Sequence, residues 1–372
     1  MDNKKVLVVF SGYNQRAVIA FLRTLAKNHI QDFFILASGE NDSILKTKYV
    51  SHVWAVRKNR ELDYNEIEQL IEQMKITIGF SEFYIPPSTE ALNRFLLKEE
   101  NRLHHLGYIS TLVDTHLYEM ISDKKKFSDV CGSNGINIPK EIAFPETFIH
   151  PFVAKPITYY DESGKTYSPV LIRDEEEYLK FKEHYPRKSF YYQQYIQGRS
   201  IYLLYYFEKK RKKCIKFSQE NFMQQANGKS ILAAKPNDFY TKEIADKFEM
   251  LLDNLQYHGF IMIEIRLEQD KFYMIEANPR FWGPSQLFVD AGCNFFEYYL
   301  KEYGFLNRNV HNNTYNMKVC YYWHGGTAYQ GQSEEPVFYN NYAKYYCKDV
   351  VELLKWDVYR REDTEKLFLD FS

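Results

Sequence analysis

Residues 272–283, "FYMIEANPRFWG", set a carboxylate, an amide and a guanidinium within five positions at the end of an apolar run. Glu276 and Asn278 fall on one face of a strand, because successive side chains alternate. Arg280 follows just past Pro279, and its planar fork can hold a phosphate or carboxylate through two hydrogen bonds. A second apolar run alternates in the same way. Ile261, Ile263, Ile265 and Leu267 share one face, and Phe260, Met262, Glu264 and Arg266 the other. If Gln269-Asp270-Lys271 is a three-residue hairpin loop, Glu264 stands directly opposite Glu276. A two-residue loop puts them on opposite faces, unless a bulge restores the match. Two carboxylates about 5 Å apart on apolar strands repel and are costly to bury. A divalent cation reverses that cost, and carboxylates with an amide oxygen are hard donors suited to Mg²⁺ shared with phosphate. The plain alternative is a hairpin with Glu264 and Arg266 in solvent.

Other charged positions are ambiguous one by one. Lys155 in "FVAKP" either snorkels at a sheet edge or reaches a buried anion. The polar stretch 157–169 with Gly164 is long enough to fold over a phosphate chain. "YYQQYIQG" ends a strand before Gly198, where backbone groups can meet the edge of a base. Lys124, Lys125 and Lys126 follow Asp123 at a helix start, and alone read as a solvated basic turn. No Ser/His/Asp or Cys/His constellation appears, and among the ten scattered histidines His258 and His324 read as structural.

These residues need elements to position them. Strands are expected at Val6–Phe10, 33–37, 52–56, 76–80 and 108–114, with helices through Ala17–Lys27 and around Ile67, Leu70, Ile71 and Met74. That alternation implies a parallel sheet with helices on both faces, a Rossmann-like α/β unit. "SGYNQRA" after the first strand lacks G-x-G-x-x-G, so no dinucleotide site is expected. Residues 122–142 read as a helix capped by Ser122 or Asp123, ending near Gly132–Gly135, with a strand at Ile136–Pro139. From 150 to about 235 the pattern is all β, and "KKRKK" at 209–213 is a solvated hairpin turn. A helix fits 241–257, then the acidic hairpin. The last ~60 residues read as a small α+β extension without a motif.

The totals narrow the function. The 372 residues suffice for two or three domains, and a net charge of −1 argues against nucleic acid or an anionic membrane as a partner. Cysteines 131, 214, 293, 320 and 347 form no CxxC pair, which suits free thiols in a reducing compartment. No apolar stretch is long enough for a membrane span or signal peptide, so a cytoplasmic protein is expected. The 32 tyrosines and 28 phenylalanines read as packing rather than a ligand surface.

In order, "SDK…GINIP", "FVAKP", "QQYIQG", "GFIMIEI" and "MIEANPRFWG" resemble the ATP-grasp superfamily, in its carboxylate–amine ligase branch with a terminal E-x-N-P-R-F-W-G motif. The resemblance covers about residues 1–305. It implies a fold of α/β plus α+β: a pre-ATP-grasp domain (1–115), an ATP-grasp domain (116–308, lobes about 116–195 and 196–308) and a C-terminal extension (309–372). It implies Lys124 and Lys155 on the phosphates, and Gln193, Gln194, Tyr195 and Ile196 at the adenine. Glu264, Glu276 and Asn278 become ligands of one or two Mg²⁺, with Mn²⁺ able to substitute, and Arg280 and Lys155 the catalytic cations. The implied reaction joins a small carboxylate to an amine through an acyl phosphate, in a homodimer as is common there. A non-catalytic nucleotide-binding partner or another ATP-dependent phosphotransferase are the alternatives. The chain departs from the pattern at Gln193-Gln194 (usually Gln-Glu or Glu-Lys), at Ser200 (often an acid), at Met262 (often arginine), and in having one glycine in the phosphate loop.

Overall fold

The computed structural model describes residues 4–161, 164–210, 213–228, 230–311, 314–327, 335–339 and 350–370. Arg211 and Lys212 of the basic turn, part of the 157–169 loop and Cys347 lie outside the described residues.

Three sheets organise the chain. The first holds β1 (Lys5–Phe10), β2 (Phe33–Ala37), β3 (Val53–Val56) and β4 (Glu82–Tyr84), all parallel, in the order β3-β2-β1-β4. Val6, Val8 and Phe10 pack into one buried cluster, and Leu7 and Val9 into another. Both faces are therefore covered, which is why these strands read as unbroken apolar runs. Helix Gln15–Lys27 follows β1, and its preceding residue, Asn14, has φ 50°. Asn14 leaves the helix uncapped and donates instead to the carbonyls of Ser88 (2.8 Å) and Phe281 (3.0 Å).

Two expected strands are absent here. Residues 76–78 belong to helix Tyr64–Ile78, which Asp63 caps and Gly79 closes in the left-handed region. The helix runs through three β-branched residues, Ile76, Thr77 and Ile78, and leaves Ile76 exposed, so local propensity misled. Of 108–114 only Tyr108 joins the sheet, as a bridge to Phe83.

The second sheet holds β5 (Glu141–Ile142), β6 (Phe152–Pro156), β7 (Val170–Ile172) and β8 (Phe190–Gln194), in the order β5-β8-β6-β7. It has its own aromatic core, including Phe152, Tyr178, Phe181 and Tyr192. Tyr178 and Phe181 come from helix Glu175–His184, inside the stretch expected to be all β. Only those two residues of the helix are buried, so the sequence carries little helical periodicity there. Ile136–Pro139 forms no strand, although the Asn137 carbonyl accepts from Met274 N–H at 2.9 Å.

The third sheet holds β9 (Arg199–Phe207), β10 (Cys214–Gln224), β11 (Ile231–Pro236), β12 (Gly259–Glu268), β13 (Lys271–Asn278), β14 (Tyr321–Tyr322) and β15 (Val337–Phe338). Its order is β13-β12-β9-β10-β11-β14, with β15 pairing β10. Tyr202, Leu204, Tyr206, Phe260 and Met262 face one core, and Ile201, Leu203, Tyr205, Ile261, Ile263 and Ile265 the other. Two short strands from beyond residue 309 thus continue the same sheet. Cys131, Cys214, Cys293 and Cys320 are free thiols. Among the described residues no helix is long and apolar enough to cross a membrane.

Candidate active site

The acidic hairpin meets its geometric condition by the second of the two expected routes. The loop is two residues, Gln269 and Asp270, both at positive φ (48° and 62°), and Glu268 pairs with Lys271. The three-residue loop is thereby corrected, because the consecutive left-handed residues close a tight turn. The register then shifts by one between Ile265 and Glu264, with Ile275 as the extra residue. Beyond that bulge Glu264 pairs with Glu276, Ile263 with Ala277 and Met262 with Asn278. The bulge turns Glu276 to the side it shares with Glu264, and its own carbonyl faces the small sheet. There the Lys155 ammonium donates to Ile275 O at 2.8 Å.

Cations enclose the carboxylates. Lys124 Nζ lies 3.0 Å from Glu276 Oε2, and Asn278 Nδ2 donates to Glu276 Oε1 at 2.9 Å. Arg280 donates to Asn278 Oδ1 at 3.0 Å and to the Phe281 carbonyl at 2.9 Å. Arg266 lies 2.8 Å from Glu264 Oε1, which also accepts from the buried Ser200 hydroxyl at 3.4 Å. The two carboxyls are pushed apart. Burial raises Glu264, and repulsion from Glu276 adds to it against the pull of Arg266. Burial also acts to raise Glu276, but Lys124 and Asn278 override it and hold the group down at about 2. Burial lowers Lys155 to about 8, with Lys124 adding to the cost and Glu276 opposing it. Burial likewise acts to lower Lys124, yet its contact with Glu276 leaves it raised.

A cavity of about 1000 Å³ opens between the small and large sheets. Lys155, Gln193, Gln194, Tyr195, Ile196, Glu264, Glu276, Asn278 and Arg280 all line it, while Lys124 reaches the site through Glu276. Gln193 and Ile196 are buried, and Gln193 Oε1 has no partner among the described residues. On the large-sheet side, Arg266 Nη1 is buried and has no partner among the described residues. Orphaned buried polar atoms of both signs beside a cavity are what a polar ligand satisfies. The two sheets meet at Gly198, where a Cβ would lie 2.2 Å from the Leu267 carbonyl, so this approach requires glycine.

Glu264, Glu276 and Asn278 are oxygen donors of the kind Mg²⁺ takes, and a cation between the two carboxylates fits their mutual repulsion. Among the described residues no group of three or more His, Cys, Asp or Glu side chains could hold a metal ion.

Several cavity residues went unread. Arg266 had a signal, since it sits two positions from Glu264 on the same face. Tyr339, whose ring lies under the Arg266 guanidinium at 4.7 Å, comes from a segment with no motif. Nor did any local pattern mark Arg16, Trp323 or Glu90, which long-range packing brings to the wall.

Residues 121–284 match the family described as the ATP-grasp domain. No curated protein sequence matches the chain. Solved structures similar to it include the biotin carboxylase domain of Hydrogenobacter thermophilus 2-oxoglutarate carboxylase with MgADP and bicarbonate (14% identity, TM-score 0.58, 83% of this chain and 73% of that one). N5-carboxyaminoimidazole synthetase from Staphylococcus aureus is similar over 85% of this chain and 80% of its own (13% identity, TM-score 0.57). The L-amino acid ligase from Bacillus licheniformis is similar over 79% and 72% (15% identity, TM-score 0.54). Over residues 121–284 the chain carries a domain of the ATP-grasp family.

Proposed function

We propose that the protein is an ATP-dependent ligase that joins a small carboxylate to an amine through an acyl phosphate, releasing ADP and phosphate. The observation that carries this reading is the opposed pair Glu264 and Glu276, with Lys155 and Arg280 lining the same cavity. In this reading Gln193, Gln194, Tyr195 and Ile196 hold the adenine, and Lys124 and Lys155 hold phosphate oxygens. Glu264, Glu276 and Asn278 would hold Mg²⁺, which when bound neutralises charge on the transferring phosphoryl group. Arg280 steadies the acyl phosphate, with its fork already fixed by Asn278 Oδ1 and the Phe281 carbonyl. No protein nucleophile is needed, because the acid attacks the γ-phosphoryl group and the amine then displaces phosphate. The enclosing walls keep water from the acyl phosphate.

The proposed division is a pre-ATP-grasp domain (1–115), lobes at 116–195 and 196–308, and an extension (309–372). Cytoplasmic residence and a homodimer complete the reading. The H. thermophilus domain with MgADP supports the choice of nucleotide and metal, and the S. aureus synthetase and B. licheniformis ligase support ligase chemistry. ADP release over a panel of acids and amines tests it. Release that requires both an acid and an amine is expected. Release with one substrate alone points to a phosphotransferase, and thermal stabilisation by Mg·ATP without turnover points to a non-catalytic partner.

A further inference from the structure

We propose that Arg16 binds a second anionic group of the substrate, so that the acid joined by this enzyme carries a carboxylate or phosphate besides the reacting carboxylate. The proposal rests on the ligase reading above.

Among the described residues five cations line the cavity: Arg16, Lys155, Arg173, Arg266 and Arg280. Arg173 pairs with Glu177 and Arg266 with Glu264. Among the described residues the other three have no carboxylate partner. ATP and the acyl phosphate use Lys155 and Arg280. Arg16 is left over, a partly buried guanidinium with no carboxylate partner among the described residues.

Its setting is rigid and leaves donors open. Nη1 donates to the Ile231 carbonyl (3.1 Å) and the Tyr321 hydroxyl (3.0 Å), and Nη2 to the Ser230 hydroxyl (2.9 Å). One face of the group lies 3.8 Å from the centroid of the Trp323 ring. Gly283 passes alongside, where a Cβ would come within 3.0 Å of Nη2 and 3.1 Å of Cζ. The plane is thus held by three neutral acceptors, an indole and a glycine, which fix its orientation without cancelling its charge. Of the five N–H groups of a guanidinium, three are used among the described residues. Two remain, including Nε–H, and two is the number a carboxylate or phosphate takes.

Topology brings a ligand to the same place independently. In the order β3-β2-β1-β4 the chain reverses direction of winding between β1 and β4, and ligands of such sheets bind beyond the strand ends at that switch. Tyr13, Asn14 and Arg16 after β1, and Thr89 and Glu90 after β4, line the cavity there. Gly283 is three residues from Arg280, a stretch that spans at most about 11 Å. One small molecule can therefore present its reacting carboxylate at Arg280 and a second anion at Arg16.

Calorimetry on the protein with Mg²⁺ and ADP tests this with matched probes: glutarate against monomethyl glutarate, and O-phospho-L-serine against L-serine. At least one dianionic member is expected to bind about tenfold or more tightly than its partner. Which pair discriminates separates a carboxylate from a phosphate. Arg16→Gln and Gly283→Ala should abolish the preference, and Arg16→Lys should restore part of it. With an accepted acid in the ADP-release assay, Arg16→Gln should raise KM rather than lower kcat. No preference in either pair overturns the proposal, as does a preference that survives Arg16→Gln. So does a variant that only lowers Tm. If Mg·ADP fails to bind while the dianion preference appears, the ligase reading falls and the anion site stands; Mg·ADP binding without the preference is the reverse.

Discussion

The cavity has two walls, and they are built differently. The wall formed by β12 and β13 belongs to a sheet packed on both faces, where the carboxylates sit in a register fixed by a turn and a bulge. The opposite wall is a four-stranded sheet with a small aromatic core of its own. The bonds that link the walls near the site are polar. They include Lys155 to the Ile275 carbonyl, and Gln197 N–H, just past β8, to Glu268 Oε1 at 2.6 Å. Apolar burial thus holds each wall together, while charge and hydrogen bonds hold the walls to each other. In the proposed reading the large wall fixes the carboxylates, and a ligand would bridge the polar seam to the small wall.

Substitutions that strike one wall alone can break that distinction. The largest effect is expected from Glu276→Gln, which keeps shape but removes the charge shared by the proposed metal and Lys124. ADP release should fall by about 10³-fold or more, with circular dichroism showing an intact fold. Near-normal turnover would sink the metal assignment. Next is Phe181→Ala in the small wall, where Phe181 stacks on Tyr185 (5.0 Å) and meets Phe190 edge-on (5.3 Å). A loss of roughly 3–4 kcal/mol is expected. Hydrogen exchange should show it within 141–194, with β9–β13 still protected. Equal loss of protection in both sheets would show that the walls fold as one unit.

Legibility followed the same division. The large wall could be read because its strands alternate strictly. Period alone places Glu264, Arg266, Glu276 and Asn278 on their faces, and a two-residue loop requires a bulge if the carboxylates are to stay opposed. The bulge itself was not legible, since nothing in "KFYMIEA" marks Ile275 as the extra residue. The small wall was harder. Helix Glu175–His184 buries two side chains and carries charge elsewhere, so it shows little periodicity. Arg16 and Tyr339 reach the cavity from more than 100 and 60 residues away from β12, respectively, and only the assembled sheets bring them there.

Lys155 sits on the seam, and its substitution separates function from stability. The buried ammonium is lowered from 10.5 to about 8. Between those values the unfolded chain binds the extra proton, so raising pH stabilises the folded, empty protein. Below pH 8 the group is charged in both states and the cost of burying it is fully present. Lys155→Met should therefore melt higher than wild type at pH 7, with the gap closing toward pH 10.5. Mg·ATP affinity should fall about tenfold or more in the variant. In wild type it should weaken as pH rises through about 8, where the free protein loses the proton that in the proposed reading would hold a phosphate oxygen. A variant less stable than wild type at pH 7 would show that the bond to the Ile275 carbonyl outweighs burial.

The smallest effect is expected at the tip of the large wall. Gln269 and Asp270 both occupy the left-handed region, which costs ordinary side chains roughly 1–2 kcal/mol and suits Asn-Gly far better. Replacing them with Asn-Gly should stabilise the protein by up to about 1 kcal/mol, read as a raised denaturant midpoint with unchanged slope. Turnover should not change. Glu264 lies four residues from the turn, and the bulge at Ile275 and the pairing with β9 set its register a second time. A change in kcat would show instead that strain at the tip travels along the hairpin to the carboxylates. The large wall would then be a lever rather than a fixed platform, and the contrast between the walls would lose its physical basis.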